Sequence, residues 1–544
     1  MKALRFVCAL ALFSFSMLQA FDVKDYEKFG DIYGNKTKNL MILEALAQEK
    51  TIQDICNAQH VTVAVPEFKG ISHKDSLDIL KVLGIGLEKR WTEIVSKIQD
   101  KDKLLAKTAK LPPEFINDLE KLANNIEKIS VKFDEISLPD DITKLIEKAS
   151  QQDWHLMVRS TGKEDSKELA NAGGNESVAN VNPDKESIIK ALLIVVASYV
   201  KPKSINQRHD AGDPKLFENP FVPVLVQRMI GETYGGAAKP EDIPAGCVVY
   251  TEEQSGKLAS IVSMNASFGH LEGVVNSSVG LDRFLVDEND KVFPVIKLKP
   301  TRLVPVAKET GKVGLERMDN PEDLITKASL DDEMIVAVAT VCRAIQKVYG
   351  EPLDLEIPID RKNKTIWLVQ ARPIQESTKR LEPSYIADIK AFNEANTIAC
   401  TTVHPADAAV LHIENANQII TGRTLEDALH TYNDSQTARD NVKAIIVKGE
   451  AEMTSHAAAV FRGAGVAILT SDQTEKIKEL AKQDKISLAI DIQQEKIIDL
   501  IAEGKEFQEI KLNPGYISFP VPLERTVIAP PAGKRKTCKT GGCF

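Results

Sequence analysis

The chain has 544 residues, 43% hydrophobic and 27% charged, which is ordinary globular composition for about two to four domains. A net charge of −9 and a pI near 5.7, with no basic stretch long enough to follow a nucleic-acid backbone, set DNA and RNA binding aside. Seven cysteines without metal-ligand spacing argue against a structural zinc site.

Lys2 and Arg5 precede the apolar run FVCALALFSFSML and then Gln19-Ala20, the order of a secretory signal peptide over residues 1–20. The run is short for a bilayer span, so the expectation is export to a periplasm or the exterior, with no integral span in the mature chain. A signal that does not function would leave the protein cytoplasmic. Cys8 falls in this segment, and Cys538 and Cys543 in the last residues; Cys56, Cys247, Cys342 and Cys400 sit singly among apolar neighbours and read as buried thiols.

From Phe21 to about Ser150, Leu, Ile and Val recur at spacings of three and four, the period of amphipathic helices. From Trp154 to Ile374 the signal changes to β-branched runs such as HLMVRS, PVLVQRMI and AGCVVYTEE, interrupted by the helical segment DDEMIVAVATVCRAIQKVYG. The fold class is therefore α+β or α/β with several domains. Residues 375–395 read as a polar linker helix. In 396–502 a strand KAIIVKG, a helix SHAAAVFRGAG and a strand VAILT follow one another, and 503–544, rich in Pro, Gly and Lys, read as a poorly ordered tail.

Three constellations carry chemistry. In the hairpin formed by DLEIPI and TIWLVQAR, Asp354 and Glu356 share one face, and Gln370 and Arg372 share a face of the partner strand. Two carboxylates, an amide and a guanidinium on one face suit magnesium with polyphosphate. An exposed face of an edge hairpin is the alternative, and Pro358 hints at an edge. Arg159 ends HLMVRS and is followed by a polar loop with paired glycines, which suits phosphate and equally suits any surface turn. His456 stands inside a helix that Thr454 or Ser455 can cap and that Gly463 and Gly465 can end. Such an imidazole is a capping residue or, neutral beside the helix dipole, a nucleophile.

In this order the pieces resemble the pyruvate phosphate dikinase and phosphoenolpyruvate synthase family, over roughly residues 30–500 and weakly through 70–150. YGNKTKNL and AVPEFKGIS resemble its N-terminal signature, which makes Lys36 a phosphate-binding lysine. VRSTGKEDS with NAGGNES gives Arg159 as a nucleotide-binding arginine. VLVQRMI resembles its Val-Gln-x-Met-Val strand, and SFGHLEGVV its Gly-Leu-Gly-Glu-x-Val-Val, which gives Glu272. DLE with QARP gives Asp354, Glu356, Gln370 and Arg372, and AEMTSHAAAVFR gives Thr454, His456 and Arg462.

The resemblance implies an ATP-grasp-type nucleotide domain over 21–374 with a helical insertion near 71–150, and a swivelling phosphohistidine domain over 396–502. It also implies an ATP-dependent phosphotransferase. ATP would be held by Lys36, Arg159, Asp354, Gln370 and Arg372, and Mg2+ by Glu272 and Glu356. His456, Arg159 and Thr454 would act in transfer of the β-phosphoryl to His456, leaving AMP and phosphate.

Three departures stand out: Ala451-Glu452 in place of paired glycines, Leu271 in place of a glycine, and Ala467 in place of a proline. The family's (β/α)8 barrel needs about 250 residues, whereas 503–544 is far shorter, so the phosphoryl acceptor is expected to be a small molecule or a separate chain. The alternative function is a nucleotide-binding sensor or scaffold without phosphoryl transfer.

Overall fold

A computed structural model of the protein describes residues 22–527, apart from 107–108, 164–174, 233–234, 252–260, 277, 308–312, 375–383, 405–409, 449–450, 452–455, 484, 493 and 515–525. The expected signal peptide, Thr454, Cys538 and Cys543 therefore lie outside the described residues.

Two large sheets build most of the first part, beside a two-stranded one formed by Thr301–Ala307 and Val313–Asp319. The strands that matter for the site are β1 (Leu156–Ser160), β2 (Val224–Arg228), β3 (Ala245–Tyr250), β4 (Val262–Phe268), β5 (Leu353–Asp360), β6 (Thr365–Trp367) and β7 (Gln370–Pro373). β1 and β2 are the middle of a four-stranded antiparallel sheet flanked by Ser177–Val181 and Phe68–Ile71. The other sheet has nine strands and runs from Thr62–Ala64 through β6, β5, β3 and β4 to Asp282–Val286, Val292–Ile296 and Thr526–Val527, with β7 also on β5.

Alternation decides what each sheet buries. On β5, Leu353, Leu355, Ile357 and Ile359 enter a core shared with helix α1 (Asn35–Gln48), helix Lys50–Ala58 and helix α2 (Asp332–Tyr349). α2 is the expected DDEMIVAVATVCRAIQKVYG segment. It starts where the Asp331 carboxylate accepts the Met334 N–H at 2.8 Å and ends at Gly350, whose φ of 93° only glycine adopts readily. On β1 and β2, Leu156, Val158, Val224 and Val226 enter a second core, covered by the helices between His73 and Ala211. Asp354 and Glu356 on β5, and Arg159 and Gln227 on β1 and β2, alternate with these core residues and so fall on the opposite faces.

β5 is flanked on both sides, by β3 and by β6 and β7, so the edge suggested by Pro358 is corrected. The proline is tolerated because β6 pairs with Ile359 and Asp360 and β7 with Leu353 to Glu356, which leaves Pro358 opposite the gap between them.

Residues 397–499 form two four-stranded sheets face to face, with a core of Ile398, Leu411, Ile446, Leu469 and Ile490 between them. In one of them Ile419–Gly422, Ala444–Val447 and Ala467–Thr470 are parallel. Helices α3 (Leu425–Asp434) and α4 (His456–Gly463) cover its outer face through Leu429, Ala457 and Phe461. The expected strand, helix and strand order is present, and α4 stops before Gly465 at φ 70°.

Two expectations need correction. In place of a linker helix, Ser384–Ile386 is a strand paired with Leu512–Pro514, followed by 3-10 turns at Ile389–Ala391 and Glu394–Asn396. The Asp491 carboxylate accepts the Ile386 N–H at 2.6 Å, and Ile386 and Phe392 are buried against Ala489 and Ile498. Nor is 503–514 a disordered tail: the Phe507 ring stacks on His412 with centroids 4.3 Å apart. Cys56, Cys247, Cys342 and Cys400 are buried free thiols, as expected. Among the described residues no helix is long and apolar enough to cross a membrane.

Candidate active site

Arg159, next to last in β1, joins the two sheets. Its Nη1 donates to Gln227 Oε1 on β2 at 3.2 Å and to the Val369 carbonyl at 3.4 Å. Its Nη2 donates to Gln370 Oε1 on β7 and lies 3.5 Å from Glu356 Oε2 on β5. Gln227 closes the ring, its Nε2 donating to the Val369 carbonyl at 3.2 Å. The guanidinium is buried, yet its Nε has no hydrogen-bond partner among the described residues. A cavity opens beside it, lined by Gln227, His270, Glu272 and Glu356 and walled by apolar side chains including Val369.

Glu272 and His270 come from the turn after β4. Gly269, at φ 91°, lets the chain bend: its N–H reaches the Pro244 carbonyl and that of His270 the Leu303 carbonyl, both at 2.9 Å. Leu271 fills an apolar cluster with Val248, Val274 and Leu303. Burial pushes the Glu272 carboxyl up, and the Glu356 carboxylate pushes it further, with Arg159 opposing. A carboxyl pushed up by a neighbouring carboxylate also favours a cation placed between the two. Burial and, second, the Arg159 charge push the His270 imidazole down to about 4, so it is neutral near pH 7.

One rung along the hairpin two opposite charges pair. Asp354 stands opposite Arg372, and its Oδ2 accepts from Nε at 2.9 Å and lies 2.8 Å from an Nη. Neither side chain lines the cavity. Lys36 is half-buried in the first turn of α1, which is fastened to the loop after Arg159: Thr37 N–H donates to Thr161 Oγ1 at 2.9 Å and Asn35 N–H to the Gly162 carbonyl at 2.9 Å. Further along, Asn39 donates to the Ala371 carbonyl at 2.9 Å and so ties α1 to β7.

The histidine segment approaches from the other part of the chain. His456 is the first residue of α4, and Arg462 lies in the same helix. α4 packs on α3, whose Glu426 adds the smallest of the upward pushes on the Glu272 carboxyl; burial raises Glu426 itself, with His430 and then Lys203 opposing. Arg159, Glu272 and Glu356 thus meet at the cavity, Gln370 reaches it through Arg159, and Asp354 and Arg372 close on each other. Gln227 and His270 were missed. Gln227 was legible as the polar residue in the apolar strand VLVQRMI, whereas His270 in SFGHLEGVV gives no periodic signal.

A cavity between two sheets, with an arginine, two carboxylates and a neutral imidazole around it, is a buried charged site suited to an anionic ligand. The chain belongs to the pyruvate phosphate dikinase, AMP/ATP-binding domain family, whose model matches residues 32–391. It is similar to phosphoenolpyruvate synthase of Pyrococcus furiosus, 24% identical over 391 residues, 67% of this chain and 45% of the relative. A probable phosphoenolpyruvate synthase of Pyrococcus horikoshii is 23% identical over 426 residues, 74% of this chain and 49% of the relative. Rifampicin phosphotransferase of Bacillus subtilis is 23% identical over 265 residues, 48% of this chain and 28% of the relative. The chain therefore spans less than half the length of these relatives.

Proposed function

We propose that the protein is an ATP-dependent phosphotransferase that phosphorylates its own His456 and passes the phosphoryl group to a small molecule or to another chain. The observation that carries this reading is the cluster of Arg159, Glu272 and Glu356 at one cavity between two sheets. Residues 21–374 then act as an ATP-grasp-type unit and 396–502 as a swivelling phosphohistidine unit. The first residues act as a signal for export.

The residues present fit magnesium: Glu272, pushed up by burial and then by the Glu356 carboxylate, lines one cavity with Glu356 and Arg159, and the two carboxylates would hold the ion. Bound Mg2+ would supply neutralisation of the phosphate charge. Arg159 orients the polyphosphate, Gln370 and Gln227 hold Arg159, and Lys36 adds charge from the first turn of α1. The Asp354–Arg372 pair holds the hairpin face in register. A ring nitrogen of His456 attacks the β-phosphorus and displaces AMP, with Thr454 assisting, and water then cleaves the pyrophosphoryl group to leave phosphohistidine and phosphate; the shared family and a relative named as a phosphotransferase support phosphoryl transfer.

The test is incubation of the purified protein with β-labelled ATP and magnesium. Acid-labile label on the protein that is absent in His456→Ala supports the reading. ATP binding without AMP formation would overturn it in favour of a nucleotide sensor or scaffold, a role that Ala451-Glu452 in place of paired glycines would suit. The proposed export is tested by mass spectrometry, which should find a mature N-terminus at Phe21.

A further inference from the structure

His270 has one ring nitrogen in use and one idle. Nδ1 accepts the backbone N–H of Glu272 at 3.2 Å, which puts the ring proton of the neutral imidazole on Nε2. Nε2 is buried without a hydrogen-bond partner among the described residues, although the residue, 4% exposed, lines the cavity beside Arg159, Glu272 and Glu356. An unmade buried donor costs about 1–3 kcal/mol. The ring is also held in place: Gly231 packs so closely that a Cβ there would come within 2.8 Å of His270 Cδ2. A fixed, unsatisfied N–H at a polar cavity is a donor prepared for something that enters.

We propose that the Nε2–H of His270 donates a hydrogen bond to an anionic oxygen of the nucleotide's phosphate chain. The inference rests on the reading of this cavity as the nucleotide site. Arg159, with its own idle Nε, and the two carboxylates that would hold a cation share the cavity with the imidazole, so the ligand segment there is charged rather than a base. His270 stands at the leucine position of the Gly-Leu-Gly-Glu motif that SFGHLEGVV resembles, where a leucine could donate no hydrogen bond.

The experiment is calorimetric titration of the full chain with ATP and magnesium, and with adenosine, for the native protein, His270→Leu, His270→Gln and Gly231→Ala. His270→Leu should weaken ATP about tenfold, the value of one hydrogen bond to a charged oxygen. Adenosine affinity should hold within about twofold, and His270→Gln, which keeps an N–H, should recover most of the loss. Gly231→Ala, which pushes on the ring, should lower ATP affinity in the same selective way and serves if the leucine variant does not fold. Native-like ATP affinity in His270→Leu, or an equal loss for ATP and adenosine, overturns the proposal. If instead Glu356→Gln and Arg159→Ala both leave ATP binding intact, the cavity is not the nucleotide site and the underlying reading fails first.

Discussion

Two sets of buried charges in this molecule are built on opposite principles. Arg302 and Glu232 close on each other: Nε and Nη2 each donate to the carboxylate at 2.9 Å, Nη1 donates to the Asp319 carbonyl at 2.6 Å, and Glu232 also accepts the Ala237 N–H at 2.7 Å. Lys299 and Asp282, both fully buried, are equally complete, with Lys299 Nζ 2.6 Å from Asp282 Oδ1 and the Ser329 N–H at 2.7 Å from Oδ2. Around Arg159 the accounting is left open: its Nε and the Nε2 of His270 have no partner among the described residues, and Glu272 faces another carboxylate. A completed buried pair costs stability when one member is lost, whereas an uncompleted buried donor costs stability until something satisfies it.

That contrast breaks most visibly where a closed pair loses one member. Glu232→Ala strands a buried guanidinium and should cost about 3–5 kcal/mol in urea unfolding. If the loss is under about 1 kcal/mol, the pair is not the lock described. Glu356→Gln should do the reverse, leaving thermal stability near native because it relieves repulsion of Glu272, while AMP formation from ATP falls about a hundredfold. A matching fall in melting temperature would make the carboxylate structural.

A smaller effect is expected from pH. In the unfolded chain the His270 imidazole binds a proton below about 6.5, whereas in the folded protein it does so only near 4. Between these values the unfolded state holds more protons, so the contribution is fully present above the upper value and is lost as pH falls toward the lower one. Urea unfolding of the native protein should lose about 2 kcal/mol more than His270→Leu between pH 7.5 and pH 5. The smallest effect belongs to the exposed Lys50–Asp54 pair on helix Lys50–Ala58, for which Asp54→Asn should change stability by under about 0.5 kcal/mol.

How much of this could be read from the sequence follows from where each signal resides. Alternation is local, so the shared face of Asp354, Glu356, Gln370 and Arg372 was legible from two-residue spacings. What the spacing could not say is that the Asp354 rung closes on Arg372 while the Glu356 rung opens toward Arg159, because that depends on a strand about 200 residues away. Pro358 misled for a related reason: its missing N–H matters only if a neighbour needs it, and the break between β6 and β7 removes that neighbour. Polarity alone suggested a linker after residue 374, but the pairing of Ser384–Ile386 with Leu512–Pro514 joins segments far apart in sequence. Ala467, read as a departure from proline, has a ladder role: its N–H donates to the Lys443 carbonyl at 3.0 Å, a bond proline cannot make.

Gly34 sets the tolerance of the whole nucleotide end. A Cβ there would lie 1.0 Å from the Thr161 carbonyl oxygen, and its φ is 79°. The backbone that carries Lys36 and the backbone that carries Arg159 thus touch with no side chain between them. In a saturation library selected for function, position 34 should therefore return glycine alone, while Gly350, with φ of 93° but open space around it, should also admit asparagine.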